Sequence, residues 1–95
     1  HALTSLKEAR KNLVASLQRL GWMHVMPSEA NYLMCELKDG MSANDLAVHL
    51  LDDHNILIKD LSTKRGIAPR QCIRLAVRDE EDNKKLIKAL KEYGR

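Results

Sequence analysis

Leu3, Leu6, Leu13, Val14, Leu17 and Leu20 recur at helical spacing with Lys7, Arg10, Lys11, Gln18 and Arg19 between them. This stripe predicts an amphipathic helix over residues 2–20, ended by Gly21. Trp22 to Met26 reads as a short strand broken by Pro27-Ser28. Residues 30–37 (ANYLMCEL) are apolar on both faces, the pattern of a strand inside its sheet. After a turn at Lys38-Asp39-Gly40, Ser42 with Asp45 forms a capping-box-like start for a second helix whose stripe is Leu46, Ala47, Leu50 and Leu51. That helix stops near His54-Asn55, where asparagine tolerates the left-handed conformation.

Ile56-Leu57-Ile58-Lys59 is a short apolar strand ending in a charge, and residues 60–71, with Ser, Thr, Gly and Pro in no period, read as a loop. Residues 72–78 alternate: Ile73, Leu75 and Val77 point one way, Cys72, Arg74, Ala76 and Arg78 the other. Asp79 to Asp82 place acids at the positive end of a last helix, with Lys88 and Lys91 towards its negative end and Leu86, Ile87, Leu90 and Tyr93 as its packing stripe. The fold class is α+β: a three- to four-stranded antiparallel or mixed sheet with helices packed on one face and Arg74 and Arg78 on the other. A chain of 95 residues allows one core, so residues 1–95 form one domain.

Composition sharpens this picture. Phe is absent, so the core is aliphatic, and 44% hydrophobic residues with 31% charged are those of a folded domain. The net charge of +3 is local: from Lys59 to Arg78 stand Lys64, Arg65, Arg70 and Arg74 as further bases, against Asp60 alone. Two cysteines without a CxxC pair fit a reducing compartment, so the cytoplasm is expected. No apolar run approaches the roughly 20 residues that span a bilayer, and no membrane partner is expected. The chain begins with His1, as a piece excised from a longer protein or a processed tag would.

Arginine is rarely buried without a partner, so a strand that carries Arg74 between small residues is either wet on that face or open to an anion. The plainer readings pair Arg74 with an acid such as Glu36, leave Lys59 in water at a strand end, use Asn31 as a strand-edge hydrogen bonder, and pair Arg78 with Asp79–Asp82. His49 and His54 are off the i, i+4 spacing of helical metal ligands, and no metal site is expected. Cys72 has no general base beside it and reads as a small apolar filler.

Pro27-Ser28-Glu29-Ala30-Asn31-Tyr32, Ile56-Leu57-Ile58-Lys59-Asp60, Cys72-Ile73-Arg74-Leu75-Ala76-Val77 and Glu81-Asp82-Asn83 together resemble the carboxy-terminal small domain of fold-type I pyridoxal-phosphate aminotransferases. Within that superfamily the resemblance is to histidinol-phosphate aminotransferases and threonine-phosphate decarboxylases, and it covers the whole chain. It implies that Arg74 grips the substrate α-carboxylate, that Lys59 stands where relatives carry an arginine for the phosphate end, and that Asn31 lies on the substrate side of its strand. Lys59, and Arg78 where glycine is usual, depart from the histidinol-phosphate pattern.

The resemblance also implies that pyridoxal 5'-phosphate, its lysine and its phosphate cradle belong to an upstream large domain. This stretch then holds no cofactor-binding or catalytic residue and has no activity alone. The full-length enzyme would be a homodimer acting on a small amino-acid or amino-phosphate substrate. Transamination and decarboxylation both remain open, as does a ligand-sensing module. A basic nucleic-acid-binding sheet is disfavoured because RNA-binding sheets stack bases on exposed aromatics, and Tyr32 is the sheet aromatic of note.

Overall fold

Each predicted helix forms where its apolar stripe can reach one shared core, although Leu51, expected in the stripe of the second helix, lies 46% exposed at that stripe's outer edge. In a computed structural model that describes residues 2–26, 31–38, 40–67 and 70–94, with side chains from Lys7 onward, the element order is α1 (Ala2–Arg19), β1 (Met23–Met26), β2 (Tyr32–Leu37), α2 (Ala43–His54), β3 (Lys59–Asp60), β4 (Cys72–Ala76) and α3 (Glu80–Tyr93). The Pro27-Ser28 break and the Leu3 and Leu6 side chains of the first stripe lie outside the described residues. Gly21 leaves α1 at φ 82°, a conformation a side chain would resist. No helix is long and apolar enough to cross a membrane among the described residues.

The strands form a four-stranded antiparallel sheet in the order β1-β2-β4-β3. Register puts Leu33 opposite Leu75, Cys35 opposite Ile73 and Met23 opposite Leu37, so one face is continuously apolar. Against that face pack Leu13 and Leu17 of α1, Leu46 and Leu50 of α2, and Leu86 and Leu90 of α3. Among the described residues no helix packs on the other face. There Tyr32 is 42% exposed and Met34 half-buried, although β2 is central as its composition predicts.

Helix ends follow local chemistry. The Ser42 hydroxyl accepts from the Asp45 N–H at the start of α2, and the Gln71 side chain accepts from the Ala43 N–H beside it. At the other end Asn55 takes φ 55°, and the Ile56 N–H donates back to the Leu50 carbonyl. That closure shortens the third strand: Ile56 is committed to capping α2, so pairing with β4 begins only at Lys59 and reaches Asp60, the first residue of the expected loop. The fourth strand also ends early. Asn83, buried in α3, takes both main-chain groups of Arg78, accepting from its N–H at 3.1 Å and donating to its carbonyl at 2.9 Å.

Both cysteines are free and fully buried. Burial, with Cys72 adding to it, pushes the Cys35 thiol up from 9.0 to about 12. An unfolded thiol ionises near pH 9 while folded Cys35 keeps its proton to about pH 12, so the folded state holds the extra proton between them and stability falls as pH rises through that window. The expected result is an unfolding midpoint that drops steadily above pH 9 and drops less in Cys35→Ala. A midpoint indifferent to pH there would show that water reaches the thiol.

Candidate functional site

β4 has a side packed under the helices and a helix-free side. Ile73 and Leu75 are fully buried under the helices, while Arg74 between them projects to the helix-free face and stays half-exposed. Its neighbours follow from register, with Met34 of β2 opposite on one side and Lys59 of β3 on the other. Asn31 extends the ladder beyond Tyr32, its carbonyl accepting from the Val77 N–H at 2.7 Å. The residues predicted from sequence thus meet: Asn31, Lys59 and Arg74 line one open concavity of about 670 Å³, walled by Tyr32, Leu57 and Ala76.

The charge around it is uneven. Arg70 reaches Glu36 with two bonds, Nη2 to Oε1 at 2.5 Å and Nε to Oε2 at 3.1 Å, and the hydrogen bonding holds the Glu36 carboxyl below its usual range. Arg78 pairs with Asp82 at 2.9 Å, the surface ion pair that its acidic neighbours suggest. Asp60, the acid at the concavity itself, accepts from the Ser62 N–H through Oδ1. Arg74 has no acidic partner among the described residues. Its guanidinium carbon instead lies over the Tyr32 ring, 4.9 Å from the centroid.

That arrangement suits an incoming anion. The ring attracts the cation through its π face without neutralising it, so the N–H donors stay available to a carboxylate or phosphate. Lys59 adds a second positive charge one strand away, and burial does not dim it, since its side chain is exposed. Sequence alternation places Tyr32 on this face but not beneath Arg74, because that contact depends on the register between β2 and β4. Nothing in the sequence pointed to Arg70, a loop residue, as the partner of Glu36.

The lysines do not fit a covalent seat for pyridoxal phosphate. Such a lysine is desolvated, and every lysine of this chain lies exposed. Cys72 is equally unsuited to nucleophilic work, because burial, the larger effect, and the nearby Glu36 charge both raise its pKa. Among the described residues no cluster of three His, Cys, Asp or Glu side chains could hold a metal ion.

This architecture and sequence have close counterparts. The histidinol-phosphate aminotransferase of Roseiflexus castenholzii is 38% identical over 86 residues, which are 90% of this chain and 22% of that protein. The crystal structure of the histidinol-phosphate aminotransferase from Clostridium acetobutylicum superposes with a TM-score of 0.87 at 29% identity, covering 97% of this chain and 27% of that one. L-threonine-O-3-phosphate decarboxylase from Porphyromonas gingivalis superposes at 0.82 with 29% identity, covering 92% and 26%. The chain therefore spans about a quarter or less of the length of these proteins. The sequence profile of aminotransferase class I and II matches residues 2–90, nearly the full length of the α+β unit that carries Arg74, and the chain belongs to that family.

Proposed function

We propose that this chain is the substrate-binding small domain of a larger pyridoxal-phosphate enzyme, with Arg74 as the clamp for the substrate carboxylate. The supporting observation is that Arg74 stands charged and half-exposed over Tyr32 in no ion pair among the described residues, while Arg70 and Arg78 are paired. The enzyme moves an amino group between an amino acid and a keto acid or phosphorylated ketone. The cofactor and its lysine belong to the remainder of the protein, a large domain that forms a homodimer, and two buried free thiols suit a cytoplasmic enzyme.

In this reading the planar fork of Arg74 makes two parallel hydrogen bonds to the carboxylate and so fixes the substrate's rotation about its α-carbon. Lys59 meets the distal phosphate as a point charge, and Asn31 lies at the rim. Leu57, 78% exposed at the wall, excludes water once the domain closes. The loss of a single exposed charge contact predicts that Lys59→Ala raises KM for a phosphorylated substrate about fivefold and leaves an unphosphorylated analogue unchanged. Equal effects on both would remove Lys59 from the phosphate end.

A decarboxylase of an amino-acid phosphate is the second reading, favoured by the superposition on L-threonine-O-3-phosphate decarboxylase. The two share the anion site and differ in the bond broken. Incubating the intact enzyme with L-threonine-O-3-phosphate and measuring released carbon dioxide against keto-acid formation separates them. Arg74→Ala tests the clamp in either case.

A further inference from the structure

We propose that Arg70 keeps the anion site open by holding Glu36 away from Arg74. The inference rests on Arg74 being the substrate clamp and adds a residue that never touches substrate.

The register of the two central strands carries it. Met34 lies opposite Arg74, Tyr32 opposite Ala76 and Glu36 opposite Cys72. On the helix-free face Arg74 therefore has two diagonal neighbours on β2, an aromatic ring on one side and a carboxylate on the other. Diagonal positions in an antiparallel pair are about 7–8 Å apart, within reach of a glutamate and an arginine extending towards each other. An unrestrained Glu36 would occupy the same donors that an incoming carboxylate needs.

It is restrained. Both of its oxygens accept from Arg70, at 2.5 and 3.1 Å. Arg70 is itself steadied by its N–H bond to the Ile67 carbonyl and by Nη2 at 3.8 Å from the Met26 sulfur on β1. The pair is largely exposed, so it adds little to the stability of the fold. Its consequence is one of charge distribution: Glu36 is neutralised from the loop side, and Arg74 is left with a ring that steadies it and no carboxylate to displace. Asp60, the acid that lines the concavity, is turned to the Ser62 N–H.

The test measures the Kd of the intact enzyme for L-threonine-O-3-phosphate, which bears both a carboxylate and a phosphate, by titration calorimetry. Arg70→Ala is expected to weaken binding about fivefold, the size of one exposed ion pair redirected onto Arg74. Glu36→Gln alone is expected to bind as the unsubstituted enzyme does. The double variant Arg70→Ala/Glu36→Gln is expected to recover that affinity, a rescue that a purely structural role for Arg70 would not give. Unchanged binding in Arg70→Ala, or a double variant as weak as the single one, overturns the proposal while leaving the clamp intact. If Arg74→Ala binds normally, the clamp reading fails and this inference goes with it.

Discussion

Arg74→Ala in the intact enzyme is expected to raise the substrate KM about 100-fold while the protein melts within a few degrees of the unsubstituted form. The size follows from the bond lost: once the domain closes over the substrate the pair is buried, removing one partner of a buried hydrogen-bonded charge pair costs about 2–5 kcal/mol, and 100-fold corresponds to about 2.7 kcal/mol. The small stability effect follows from position, since the side chain projects from the helix-free face and gives up one contact with Tyr32, worth about 0.5–1 kcal/mol. Arg74→Lys is expected to recover part of the affinity, because an ammonium keeps the charge but loses the two-pronged geometry. Steady-state kinetics on purified variants, with circular dichroism melts beside them, decide the matter. A variant that unfolds would make Arg74 a structural residue, and one with normal KM would move the clamp elsewhere.

One position along the same strand the outcome reverses. Leu75 is fully buried and sits opposite Leu33 beneath the helices, so Leu75→Ala leaves a cavity the neighbours cannot wholly refill. The expected loss is about 2–5 kcal/mol, a large part of the roughly 5–15 kcal/mol that holds a domain of this size together. Thermal unfolding should show a Tm lower by about 10 °C or more. The substrate KM of whatever remains folded should be near normal, because nothing on the helix-free face has changed. A Tm unmoved by this substitution would contradict the placement of Leu75 in the core.

The contrast between these adjacent residues shows what could be read before any coordinates. Alternation along residues 72–78 separates Arg74 from Ile73 and Leu75, because a strand sends successive side chains to opposite faces. The resemblance of four short segments to aminotransferases selected Asn31, Lys59 and Arg74, and all three line one concavity. The strand limits were less legible. Ile56 looks like a strand residue, yet its N–H closes α2, and Arg78 looks like part of β4, yet Asn83 takes its main chain. In both places a long-range or capping hydrogen bond outcompeted the ladder that the local pattern favoured.

Glu36 gives the same lesson for the site. A strand acid near Arg74 was a natural partner on paper, but Arg70 arrives from a loop whose path no periodicity encodes. By itself the sequence determined the order of the elements, the apolar face of the sheet and the side on which Arg74 stands, because these depend on spacing within a few residues; Arg78, expected on that same face, instead lies past the end of β4 and pairs with Asp82 of α3. Only the tertiary structure decided which acid meets which base, that Tyr32 lies under Arg74, and that Arg74 is left without an acid among the described residues. Those outcomes depend on strand register and on a loop folding back across the sheet, distances set by packing between segments far apart in the chain.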